Sequence, residues 1–62
     1  MAKLVTTRNL PDPDDVYARL IAAHEGLSKD ESDALNARLI LVLLNHIGDP
    51  QVIDEALEVA RR

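Results

Sequence analysis

The apolar positions of this chain fall into three runs, and the middle one breaks the rule that the outer two obey. Val16, Tyr17, Leu20, Ile21, Ala23 and His24 gather on one side of a helical wheel. The last run does the same with Val52, Ile53, Ala56, Leu57, Val59 and Ala60, opposite Asp54, Glu55, Glu58, Arg61 and Arg62. Between Ala34 and Ile47, nearly every position is Leu, Ile, Val or Ala. At about 100° per residue, only Glu31, Arg38 and Asn45 share a narrow polar strip there. A helix this apolar on so short a chain needs cover from something else.

Turn and capping residues set the boundaries. Residues 1–11 lack helical periodicity and end at Leu10-Pro11, where proline holds its predecessor extended, so they form an arm. Asp12-Pro13-Asp14-Asp15 is a helix start: a capping aspartate, a proline whose missing N–H costs nothing in the first turn, and carboxylates facing the positive dipole end. The first helix spans about 13–25 and stops at Gly26. Ser28 and Glu31 have capping-box spacing, opening a second helix over about 29–47, roughly 28 Å long, that Gly48 ends in the left-handed conformation. Asp49-Pro50 repeats the first start, and the third helix spans about 50–61, with Arg61 and Arg62 at its negative dipole end.

The organisation is therefore an arm over 1–11 and one three-helix domain over 12–62. Connections of two or three residues make consecutive helices antiparallel or steeply angled neighbours. The fold class is all-α: a helical hairpin plus a short third helix. Single apolar faces on the outer helices cannot cover the wide arc of the second. The remainder predicts a helical-bundle homodimer, with Leu35, Leu39, Ile40, Val42, Leu43, His46 and Ile47 at its interface.

Composition sharpens that expectation. Below roughly 70–80 residues a single core rarely supplies more than ~3–5 kcal/mol, and this chain has 62. It has no cysteine, which excludes disulfides and thiolate metal sites and fits a reducing cytoplasm. Without Trp or Phe, and with Tyr17 as its one aromatic, it must build an aliphatic core, leaving oligomerisation as the staple. A net charge of −4 disfavours both the phosphate backbone of nucleic acid and an anionic membrane surface. Met1–Arg8 has too short an apolar stretch for a signal peptide, and the Leu39–Leu44 run falls far short of the ~20 residues that span a bilayer. The expected protein is soluble and cytoplasmic.

Candidate chemistry is sparse. His24, one turn past Leu20 and two past Tyr17, reads first as a core-edge histidine packed on those residues, with a general base or metal ligand as the alternative; no second ligand stands at i+3 or i+4. His46 lies on the seam of Leu35, Leu39 and Val42, where a backbone carbonyl or an inter-subunit partner would satisfy its imidazole. Asn36 projects toward the apolar side and can set helix register, as single polar residues do in coiled-coil seams. Arg38 and Asn45 lie on the polar strip, where Arg38 is either simply solvated or holds a partner's carboxylate. The acidic runs at Asp12, Asp14, Asp15 and at Asp30, Glu31, Asp33 lack the glycine and distal glutamate of an EF-hand and are explained by helix starts. Ser28 and Ser32 have no nucleophile-elbow context, and no glycine-rich phosphate loop is present. No metal or cofactor is expected, and no catalytic residue is assigned.

Two likenesses bear on function. Asp14-Asp15-Val16-Tyr17 through Ala23-His24, Gly26-Leu27-Ser28, Asn36-Ala37-Arg38-Leu39 and Asn45-His46-Ile47-Gly48-Asp49 together resemble a family of short bacterial proteins known as a domain of unknown function. The resemblance covers about residues 9–61, with Tyr17, His24, Asn36, Arg38, Asn45 and His46 as motif positions without assigned roles. Family members tend to be encoded near flavin-dependent aromatic-ring hydroxylases, which implies an accessory role in aromatic catabolism. Val5 to Pro11 followed by two helices also resembles ribbon-helix-helix repressors and antitoxins, which would make residues 4–10 an intermolecular strand with Thr7 and Arg8 as base readers. The acidic balance and the aspartates opening the first helix stand against that alternative. The expected function is a non-catalytic protein–protein interaction module, an accessory subunit or stabiliser of an aromatic-catabolic enzyme.

Overall fold

An α-helix leaves its first N–H groups without carbonyl partners, and each helix of this chain begins where a side chain supplies one. The computed structural model describes residues 3–62 and, among them, three helices: α1 (Pro13–Ala23), α2 (Lys29–Ile47) and α3 (Pro50–Ala60). No described residue is in a strand. Met1 and Ala2 of the expected arm lie outside the described residues.

The caps are those the side chains dictate. At α1, Asp12 Oδ1 accepts the Asp15 N–H at 3.1 Å, with Pro13 in the first turn. At α2 the capping box closes in both directions. The Glu31 N–H donates to Ser28 Oγ at 3.2 Å, and the Ser28 N–H donates to Glu31 Oε1 at 2.9 Å. At α3, Asp49 Oδ1 accepts the Gln51 N–H at 3.0 Å beside Pro50. Gly48 ends α2 at φ +65°, its N–H reaching the Leu44 carbonyl at 3.0 Å.

The first helix stops earlier than its apolar pattern predicts, at Ala23 instead of about Glu25. The N–H groups of His24 and Glu25 turn to the carbonyls three residues back, Ile21 and Ala22, at 3.0 and 3.1 Å. That tightening leads the chain into Gly26 at φ +77°. His24 therefore lies just past the helix instead of within its face. The α1–α2 connection becomes the five residues His24–Ser28.

Close packing between consecutive helices is present for α2 and α3, which the two-residue turn Gly48-Asp49 joins. Among the described residues, α1 makes no comparable contact with either. The arm instead reaches the far end of the chain. Leu4 is half-buried, and Leu4 and Thr6 share a groove with Glu55, Glu58, Val59 and Arg62. Ion pairs run along single helices: Asp15–Arg19 at 2.7 Å, Lys29–Asp33 at 2.8 Å and Glu58–Arg61 at 3.7 Å. All are exposed, so they add little to stability and nothing to tertiary order. Among the described residues no helix is long and apolar enough to cross a membrane.

The result is an open molecule. Its radius of gyration is 13.5 Å. A closed domain of this length would have about 10.5 Å. It exposes 5533 Å². A compact chain of its 6.8 kDa mass would expose about 4,000 Å². Of the described residues only Val52 is buried, at 9% exposure.

The two bonds from Ser28 hold the Glu31 carboxyl below its ordinary pKa, the larger contribution coming from the Ser28 backbone N–H. The capping box thus favours the folded state fully above the ordinary carboxylate range. That contribution is lost as pH falls through the lower value Glu31 has in the fold. The protection factor of the Ser28 amide, the intrinsic exchange rate at each pH divided by the rate measured by NMR, is expected to fall as pH is lowered through that window. Ser28→Ala is expected to cost about 1 kcal/mol of α2 stability, read by chemical denaturation.

Candidate interaction surface

The candidate surface is built on α2, the longest helix, which carries the unbroken apolar run Leu39–Leu44. Leu35, Leu39, Val42 and His46 recur at i, i+4, i+7 and i+11 and so occupy one side. The structure shelters this seam at its N-terminal end and opens it at the other. Leu35 is half-buried and Leu39 sits at the margin of exposure, but Val42 is 64% exposed and His46 is exposed. Ile40, Leu43 and Ile47, beside the seam, are exposed as well. None of the expected interface residues is fully covered within the chain.

Leu41, outside the expected set, is 66% exposed, the highest value among the large apolar side chains. Its signal was its place on the wheel: three residues after Arg38 and four before Asn45, Leu41 lies beside the polar strip. Leu44, in the same run, is half-buried near the turn into α3.

The polar motif positions are scattered, and the fold does not gather them into one site. Asn36, Arg38 and Asn45 are exposed on α2, and among the described residues none has a side-chain hydrogen bond or ion pair. Tyr17 is 64% exposed on α1. His24 is half-buried just beyond that helix, its carbonyl accepting the Leu27 N–H at 3.2 Å. The acidic runs are engaged locally: Asp12 and Glu31 cap helices, while Asp15 and Asp33 pair with Arg19 and Lys29. Among the described residues no group of three His, Cys, Asp or Glu side chains is arranged to hold a metal.

In the arm, Arg8 folds back onto its own backbone, donating through Nη2 to the Pro11 carbonyl at 2.9 Å and through Nε to that of Leu10 at 3.4 Å. Thr7 is exposed. The groove between the arm and α3 is open, with a volume of about 320 Å³. Sequence reasoning missed it. Periodicity reports which face of a helix is apolar, and it carries no information on which distant segment comes to lie there.

Fold and surface together define an all-α chain of short capped helices whose largest apolar surface has no cover of its own. The chain belongs to a family of proteins of unknown function, DUF2783, which matches residues 4–62. The match takes in the arm from Leu4 as well as the helices. No curated protein and no solved structure matches the chain.

If a second chain covers the apolar surface of α2, folding is linked to association, and stability depends on protein concentration. The thermal midpoint followed by circular dichroism is expected to rise with concentration across about a hundredfold range. A midpoint independent of concentration would show that each chain closes by itself.

Proposed function

We propose that this protein is a small non-catalytic protein–protein interaction module that assembles as a homodimer through α2. The observation that carries the reading is the exposure of the α2 seam and its flank in a chain that buries little: Val42 and His46 in the seam and Leu43 beside it face solvent, while Val52 is the sole buried residue described. Water penalises that arrangement at roughly 25 cal/mol for each Å² of apolar area left uncovered. Leu39, Val42, Leu43 and His46 bury against the partner, and the imidazole of His46 takes its hydrogen bond across the interface.

The polar strip of Glu31, Arg38 and Asn45 then remains for orientation. Arg38 has no carboxylate within ion-pair distance among the described residues, so its guanidinium is available to one on another protein. The assembled module serves as an accessory subunit or stabiliser of a flavin-dependent enzyme of aromatic catabolism. This part of the reading is supported by the family resemblance of the sequence.

Absolute mass by light scattering over a dilution series tests the first claim. Wild type is expected at twice the chain mass. Val42→Asp, which leaves the isolated chain little changed because the side chain is exposed there, is expected to fall to monomer. A Val42→Asp protein with unchanged mass would remove the seam as the interface. The enzyme claim is tested by calorimetric titration against a purified flavin-dependent aromatic hydroxylase encoded in the same genome. Stoichiometric binding weakened about tenfold or more by Arg38→Ala is expected; absence of binding refutes the accessory role.

A further inference from the structure

α2 carries a second stripe that flanks the seam and shares Leu43 with the interface proposed above. Asn36, Ile40, Leu43 and Ile47 also recur at i, i+4, i+7 and i+11, each one position on from the seam and so about 100° around the helix from it. All four are exposed. α1 presents a shorter stripe, Tyr17, Leu20 with Ile21, and His24 just past its end, which spans about two thirds of that length. Tyr17, Leu20 and Ile21 are exposed, and no helix is packed against α1 among the described residues. Each stripe is apolar along most of its length, with one polar residue at one end.

These two stripes cannot meet within one chain. An antiparallel hairpin closed by His24–Ser28 sets Ala23 opposite Lys29 and Pro13 opposite Leu39. The apolar side of α1 would then lie largely against Lys29, Asp30, Glu31, Ser32 and Asp33, the polar first turns of α2. The apolar stripe of α2 starts only at Asn36. The fold accordingly leaves α1 standing away from α2. A copy of α1 from another chain is free of that restraint and can slide along α2 until the stripes coincide.

We propose that α1 of one copy docks antiparallel on the Asn36–Ile40–Leu43–Ile47 stripe of a second copy, and reciprocally, so that two chains exchange their first helices around the α2 seam. In this register Leu20 stands opposite Ile40, Tyr17 opposite Leu43, and His24 opposite Asn36, so the two polar positions pair and fix the alignment. Antiparallel docking also carries Asp14 and Asp15 toward the Ile47 end of α2, away from Asp30, Glu31 and Asp33. The parallel alternative would crowd these carboxylates together. The area agrees. Each chain exposes about 1,500 Å² more than a compact chain of its mass, so closing both takes an interface of about 3,000 Å² in total, within the obligate-dimer range. Contact along the α2 seam alone would leave α1 bare.

The exchange rests on the dimer proposed above, and a cysteine-free chain makes it directly testable. Leu20→Cys and Ile40→Cys chains are refolded together and oxidised, with Leu20→Cys plus Arg38→Cys as the comparison on the opposite strip. The first mixture is expected to give at least about tenfold more disulfide-linked dimer joining the two variants, because only there do the Cβ atoms come within bonding reach. Equal yields from the two mixtures overturn the proposal. So does a Leu20→Cys/Ile40→Cys double variant that closes its bond inside one chain at monomer mass. Isotope-filtered NMR on mixed-labelled wild type repeats the test without substitutions, where interchain contacts between Leu20 and Ile40 methyls are expected and their absence in a dimer is fatal. A dimer without the 20–40 link removes the exchange and leaves the seam standing. A linked dimer indifferent to Val42→Asp removes the seam and leaves the exchange. A monomer at every concentration removes both.

Discussion

Short helices are marginal in water, because fixing the first turn costs conformational entropy that only later residues recover. α1 and α3 have eleven residues each, below the length at which even alanine-rich peptides hold a helix alone. Everything else in this molecule depends on how that cost is offset. Part of the answer is local: the Asp12, Ser28 and Asp49 caps satisfy N–H groups at each start, and Gly48 closes α2. Caps contribute about 1 kcal/mol apiece and cannot replace burial. Among the described residues, the one buried side chain, Val52, lies in α3, which packs on α2, and partial cover extends to Leu4 in the arm and to His24 and Leu35.

That imbalance connects the open shape to the functional reading. A radius of gyration of 13.5 Å and the surplus exposed area have the same origin: among the described residues α1 packs against neither other helix, and α2 is apolar beyond what α3 covers. In a larger domain such a helix would lie at the centre. Here the polar residues that interrupt it fall on three sides of the helix: Asn36 on one, His46 on the seam, and Arg38 with Asn45 on the shared strip. Five of the eleven acidic residues, Asp12, Asp15, Glu31, Asp33 and Asp49, are engaged in caps and pairs at helix starts, away from the Leu39–Leu44 run.

Much of this was legible in the residues. The starts of all three helices, the Ser28–Glu31 box and the left-handed stop at Gly48 depend on groups within four residues of one another, and the sequence states them outright. The end of α1 was less legible: its apolar pattern runs on to His24, while the backbone has already tightened into turns ahead of Gly26. The apolar excess of α2 was visible from composition, since no arrangement of its neighbours has enough apolar face to match it. Which of its residues are sheltered was not visible, and Leu41 and Leu44 are neighbours with different burial.

The sequence by itself thus determined the helices, their polarity and the apolar run of α2, because capping, helical period and residue counts are short-range or additive. Only the tertiary structure decided that α2 pairs with α3, that α1 stands apart, and that the arm crosses to the Glu55–Arg62 end of α3. Those outcomes turn on connection length and on competition among several apolar faces for the same neighbour. No single stretch of residues encodes the winner of such a competition; it emerges when the whole chain is folded in space.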